Sequence, residues 1–282
     1  MKDGLTKNKI EYNICKGYYM KLAKFDNGKE FDFGKTSIDY SKYRDIYPNS
    51  MYEKLYELGI GQKNQNILDL GTGTGVFPRA MYKYGAQYTG IDLSEEQIKY
   101  AKILSEQQNM KIAYKICSAE STGLDSDKYD IISAVQCFQY FDRSKLIPEL
   151  KRLLKKDGKM VIVFMPWLPL ESKIAEETEK LVLKFNPKWT GGRQKRTNAE
   201  DLYNLSKIFD IEKIIGYSEN LEFNYETWAG RIRSCRGISA ALPENEVSDF
   251  NKEHLAILKK LTKEPFEIAH EIKIGIFKIK QL

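Results

Sequence analysis

Leu68-Asp69-Leu70-Gly71-Thr72-Gly73-Thr74-Gly75 decides the fold. A short apolar run stops at the first of three glycines spaced every second residue, which suits a buried strand ending in a sharp bend. Glycine lets the backbone turn there and approach a ligand closely. Val76, Phe77, Ala80, Met81 and Tyr84 then share one helical face before Gly85. A helix therefore starts directly after the bend, with its free N–H groups aimed at whatever the bend holds. A second strand over 87–91 delivers Asp92, 17 residues after Gly75. A carboxylate at that strand end accepts hydrogen bonds from both hydroxyls of a ribose.

The strand–helix rhythm continues outward. Ser94 and Gln97 read as a capping box, each side chain satisfying a free N–H, on a helix that carries Ile98, Ala101 and Leu104 inward. Strands follow at 111–117 and 129–135, then a helix over 144–155 with Ile147, Leu150 and Leu154 at helical spacing, then a strand at 159–165. Upstream, Ser50 caps a helix that Gly59 and Gly61 close after Leu58. Strands alternating with helices of 10–15 residues imply parallel pairing through right-handed crossovers, hence an α/β, doubly wound sheet. After Pro166 come a helix at 171–185, a basic loop with Lys188, Arg193, Lys195 and Arg196, and a second capping box, Thr197 with Glu200, opening a helix to Ile208. Strands at 211–222 and 269–279 enclose two helices, about 225–237 and 244–262, expected to cap one end of the sheet. Residues 1–35 form a lead-in and 36–282 one domain, with a ligand-binding core at 66–165 and cap insertions at 166–210 and 223–265.

Composition removes several classes. With 282 residues, 42% of them hydrophobic and 30% charged, the chain is globular rather than disordered. Its longest apolar run, Met160 to Leu170, spans 11 residues and holds two prolines, against the ~20 a bilayer helix needs. No apolar signal core follows Met1, so a cytoplasmic protein is expected. Cys15, Cys117, Cys137 and Cys235 are scattered without a C-x-x-C pair, and the only histidines are His254 and His270; no metal site is expected. The net charge of +6 is spread over interleaved Lys and Glu, which permits anionic partners without demanding them and leaves no concentrated basic face for nucleic acid.

The bend alone leaves nicotinamide and aminoacyl-nucleoside ligands open. The dinucleotide pattern is G-x-G-x-x-G, whereas here the third glycine arrives one residue early. Asp69, two residues before Gly71, suits a ligand with an ammonium group and would repel a pyrophosphate.

Leu68–Gly75 and Gly90-Ile91-Asp92-Leu93-Ser94 resemble the first two motifs of class I S-adenosylmethionine-dependent methyltransferases. Ser118-Ala119-Glu120 is similar to the family's adenine-contacting segment, although many relatives carry Asp in place of Ser118. Ala134-Val135-Gln136-Cys137-Phe138-Gln139-Tyr140-Phe141-Asp142 resembles the fourth-strand motif of a small-molecule branch akin to trans-aconitate and ubiquinone/menaquinone-type methyltransferases. There Q-x-x-H-W-F-D is common, and Gln139 and Tyr140 replace its His and Trp. Tyr43-Arg44, Tyr47-Pro48 and Trp228–Cys235 extend the likeness over about residues 32–280. It implies a Rossmann-like, mostly parallel seven-stranded sheet under a helical cap, with S-adenosylmethionine as cofactor and S-adenosylhomocysteine as product.

The resemblance implies roles. Asp69 and the backbone of Gly71 meet the methionine amino group, and Thr72 and Gly73 let the loop pass the cofactor. Asp92 holds the ribose, Leu93 covers one adenine face, and Ser118, Ala119 and Glu120 line its edge. Val135 and Gln136 flank the sulfonium, and Arg44 pairs with the methionine carboxylate; its bland alternative is an exposed surface arginine. Methyl transfer by in-line displacement then depends mainly on positioning, and the catalytic residues are unknown. Gln136, Tyr140, Trp167, Arg231 and His270 are the pocket candidates, with His270 the only imidazole near the last strand and more readily a structural one. At helical spacing Trp228, Arg231 and Cys235 share a face while Arg233 points away, so one arginine is expected in the pocket and the others in solvent. The acceptor is a small molecule, an anion among the options, and the protein a monomer or homodimer. The competing readings are a nucleic-acid methyltransferase, opposed by the missing N-P-P-Y-type motif, a nicotinamide oxidoreductase, opposed by the glycine spacing, and a cofactor-binding protein without activity.

Overall fold

The computed structural model describes residues 25–192 and 209–280. Seven strands form one sheet: β1 (Asn66–Leu70), β2 (Gln87–Asp92), β3 (Ala113–Ile116), β4 (Tyr129–Val135), β5 (Leu154–Phe164), β6 (Phe209–Phe223) and β7 (Phe266–Ile279). Their order is β3-β2-β1-β4-β5-β7-β6. Strands β1 to β5 pair in parallel, and β7 runs antiparallel to both its neighbours. The expected mostly parallel, doubly wound α/β sheet is what forms.

Alternation along the strands explains why both faces are covered. Ile67, Ile131, Val161 and Ile274 face one cluster with Met51 and Leu55 of α2 (Asn49–Glu57) and Phe77 and Met81 of α3 (Val76–Met81). Leu68, Ile132, Ile162 and Phe277 face a second cluster with Leu146, Leu150 and Leu153 of α5 (Arg143–Leu153). Strands apolar on both faces require helices on both.

The remaining helices are α1 (Ser37–Tyr43), α4 (Glu95–Gln107), α6 (Lys173–Phe185), α7 (Tyr225–Arg233) and α8 (Glu244–Leu261). Helices α6, α7 and α8 share a third core around Trp228, Phe250, Leu258 and Trp189. At its centre Trp228 Nε1 donates to Thr178 Oγ1, which also contacts His254 Nε2, each at 3.0 Å.

Several local expectations change. Ser94 accepts from the Gln97 amide at 3.3 Å, but Gln97 does not return the bond: its Nε2 donates to Phe33 O at 3.0 Å. The side chain that would cap α4 anchors the segment before α1 instead. The N-cap of α2 is Pro48, and Ser50 Oγ donates to Glu219 on β6 at 2.5 Å. Helix α5 stops at Leu153, because Leu154 already pairs with Tyr129 and a register shift carries β5 on to Lys159. The basic loop beyond residue 192, the Thr197–Glu200 box and its helix lie outside the described residues.

Helix α1 docks on α7. Arg233 spans Asp39 with Nε and Nη2 at 2.8 and 3.1 Å, and a Cβ at Gly230 would fall 2.2 Å from the Tyr43 ring. Gly230→Ala is expected to destabilise the protein by ~1–3 kcal/mol through overpacking and to lower the melting temperature by several degrees in thermal denaturation. An unchanged value would mean that α1 does not rest on α7.

Candidate active site at the carboxyl edge of the sheet

The order of the strands reverses between β1 and β4, and ligands of open α/β sheets bind outside the carboxyl ends at such a point. The glycine bend leaves β1 there. Gly71, Gly73 and Gly75 all adopt left-handed backbone, with φ of 58, 57 and 74°. Thr72 N donates to Ile91 O at 2.9 Å, and Gly73 N to Asp92 Oδ2 at 2.9 Å, which ties the bend to β2. Asp92 Oδ1 accepts from Ser94 N at 2.9 Å. Burial raises the pKa of this carboxyl, and the amides of Ser94 and Gly73 pull it back.

Above the bend lies a cavity of about 730 Å³. Of the sequence-derived candidates, Gly71, Gly73, Asp92, Leu93, Ala119, Glu120, Val135, Gln136, Arg44, Tyr140, Trp167 and Arg231 line it. Gln136 holds a left-handed backbone at φ 61°, uncommon for a residue with a side chain. Its amide donates to Val163 O at 2.8 Å and its Nε2 to Met165 O at 2.7 Å, which fixes it at the end of β4. Glu120 is engaged on both oxygens, by Ser118 Oγ and by Asp142 N at 3.0 Å.

Four candidates sit elsewhere. Asp69 is buried behind the bend, where Ser133 Oγ donates to it at 2.7 Å, because its side chain leaves β1 toward β4 and not toward the cavity. Thr72 is buried within the bend, and Ser118 turns its hydroxyl to Glu120. His270 is fully buried and does not line the cavity. Its Nδ1 bonds Ile268 O at 2.9 Å, its ring stacks on Phe223, and burial pushes its pKa down to about 4. It is a neutral structural histidine.

The cap brings more cations than expected. Arg231 reaches the cavity and Arg233 turns away, as its helical position implies, but Arg233 pairs with Asp39 and is not free in solvent. Arg236 also lines the cavity and pairs with buried Asp26, Nε to Oδ2 at 2.8 Å. Asp26 in turn accepts from Thr190 N at 2.8 Å. Phe25 and Phe33, on either side of it, pack on Tyr140 and close the roof with Tyr40, whose ring would stand 3.2 Å from a Cβ at Gly73. Tyr140 is the expected wall residue, its hydroxyl accepting from Arg236 Nη1 at 3.2 Å. The roof residues and Asp26 were not visible as site residues: Asp26 and Arg236 are 210 positions apart, and only the clustering of aromatics before α1 hints at a roof.

A family model described as "Methyltransferase domain" matches residues 68–162. A ubiquinone biosynthesis O-methyltransferase of Pelagibacter ubique is 30% identical over 162 residues, covering 56% of this chain and 67% of that one. A Coxiella burnetii protein of the same description is 34% identical over 113 residues, 40% of this chain and 48% of that one, so the chain spans about half the length of the second relative and two thirds of the first. Among solved structures, a Haemonchus contortus phosphoethanolamine N-methyltransferase matches with a TM-score of 0.51 at 18% identity, over 89% of this chain and 60% of that one. Fold and bend define a nucleoside-binding α/β enzyme. The chain belongs to the class I S-adenosylmethionine-dependent methyltransferases. The residues present suit that cofactor: a side chain at Gly73 would fill the cradle, and the Asp92 carboxyl lines it at the end of β2.

Burial pushes the Asp69 carboxyl up to about 7. Between pH 4 and 7 the folded state keeps a proton that the unfolded chain has lost, so stability falls as the pH rises through this window. Measured against Asp69→Asn by urea unfolding, the wild type is expected to lose on the order of 2–4 kcal/mol from pH 4 to pH 7 and nothing further above it. Parallel pH profiles for the two proteins would contradict this.

Proposed function

We propose that the chain moves the methyl group of S-adenosylmethionine onto a small acceptor that carries negative charge. The observation behind this reading is the polarity of one continuous cavity. Its core end presents the Asp92 carboxylate beside the glycine bend, and its cap end presents the guanidiniums of Arg231 and Arg236, with Arg44 in the roof. A cavity of about 730 Å³ has room for a nucleoside and a small second molecule. Residues 66–165 serve the cofactor in this reading, and the insertions 166–210 and 223–265 the acceptor.

Asp92 receives the ribose hydroxyls, and Leu93 and Ala119 flank the adenine, with Glu120 at its edge and Ser118 holding Glu120 from behind. Arg44, over the Tyr40 ring at 4.7 Å, takes the methionine carboxylate. The amino group falls to the Gly71 backbone, while Asp69 and Thr72 support the bend from beneath. Val135 and Gln136 stand where the two ends of the cavity meet.

S-adenosylmethionine supplies a methyl group already activated on a sulfonium. The chain contributes alignment and exclusion of water, worth up to ~7–11 kcal/mol in well-oriented cases. Neither histidine reaches the cavity, Asp92 and Glu120 are engaged, and burial holds the Tyr140 hydroxyl protonated. An acceptor that arrives as an anion, or that the arginines help to ionise, fits this wall; a neutral alcohol in need of a strong base does not.

Calorimetry with S-adenosylhomocysteine is the test. Asp92→Ala is expected to weaken binding by ~1–3 kcal/mol, the cost of unpaired hydroxyls. Gly73→Val is expected to abolish binding, since its side chain would occupy the cradle and strain the left-handed bend. Wild-type affinity in both variants, or binding of NAD in preference to S-adenosylhomocysteine, would refute the reading.

A further inference from the structure

The three arginines at the end of α7 meet different fates. Arg233 has Asp39 and Arg236 has Asp26. Arg231 has neither a carboxylate nor solvent: it is 3% exposed, and no ion pair to it exists among the described residues. Its Nη1 donates to Cys235 Sγ at 3.2 Å, and its plane lies over Trp167 at 5.1 Å. Its Nε is buried without a hydrogen-bond partner among the described residues. An unpaired buried cation costs several kcal/mol, yet here one is held against the wall of a cavity. With Nη1 turned to Cys235, the unused edge of the fork is Nε with Nη2, two parallel donors that match the two oxygens of a carboxylate. Cys235 does not supply the missing charge, because burial raises its pKa and keeps it a thiol.

We propose that the Nε–Nη2 edge of Arg231 binds a carboxylate group of the acceptor, which makes Arg231 the residue that selects carboxylate-bearing small molecules. This rests on the methyl-transfer reading of the cavity and adds the chemical class of the second ligand. Arg44, with Nη1 at 3.9 Å from the Cys235 sulfur, remains for the cofactor in this reading.

The test uses the full chain saturated with S-adenosylhomocysteine, titrated with millimolar benzoate, succinate or inorganic phosphate and followed by thermal shift and calorimetry. Wild type, Arg231→Met and Arg231→Lys are compared. We expect at least one carboxylate to raise the wild-type melting temperature, and its affinity to fall tenfold or more in both variants. S-adenosylhomocysteine affinity should stay within twofold throughout. Arg231→Met without ligands should melt no lower than wild type, since it removes an uncompensated charge and keeps the volume. The proposal is overturned if neither carboxylate protects the wild type, if all three proteins respond alike, if phosphate alone protects, or if Arg231→Met loses S-adenosylhomocysteine binding or melts well below wild type. Failure of the underlying reading shows separately, as a wild type that does not bind S-adenosylhomocysteine.

Discussion

One hydrogen bond carries much of this architecture: the amide of Gly73 donates to the carboxylate of Asp92. It joins the bend after β1 to the end of β2, so the two strands deliver their functional groups in a fixed relation. The bond needs a left-handed residue without a Cβ on one side and an acid at the last position of a buried strand on the other. It also bears on charge, because the amides of Gly73 and Ser94 pull down an Asp92 pKa that burial raises. A rigid parallel sheet with apolar residues on both faces is what makes such a fixed relation possible.

The cavity is assembled from parts with opposite electrostatic character. The sheet end supplies carboxylates held by backbone amides, and the cap supplies the guanidiniums of Arg231 and Arg236, each over an aromatic ring and the second also paired with an acid. Gln136 stands between them in a strained backbone state, secured by β5 through Val163 O and Met165 O. A left-handed non-glycine residue costs ~1–3 kcal/mol and persists only where surrounding bonds enforce it. Its place at the junction of the two ends agrees with a position where geometry matters more than local comfort.

Much of the sheet was legible in the sequence, because its signals are local. Leu68 to Gly75, the run to Asp92, and the apolar strand at 129–135 all announce themselves within ten residues. The bend and Asp92 were legible for the same reason, and so was the helical face shared by Trp228, Arg231 and Cys235. Boundaries failed where tertiary bonds compete with local ones. Gln97 has the sequence of a capping residue and gives its side chain to Phe33; Leu154 continues a helical pattern and joins β5. Asp69 was misplaced because a motif does not say toward which neighbour a side chain leaves its strand, whereas His270 is the structural histidine that its place in an apolar strand favours. Asp26, Phe25 and Phe33 were invisible as site residues because their partners, Arg236, Thr190 and Tyr140, lie more than a hundred positions away.

The diversion of Gln97 has a consequence of its own. Phe33 is pinned to the nucleoside-side helix through its carbonyl, while Asp26, seven residues earlier, is pinned to the cap through Arg236. The stretch between them is thus a bridge with an abutment on each bank. A disturbance at either footing shifts the same span, so damage at position 97 or at position 26 is felt on the far shore, where neither residue makes a contact.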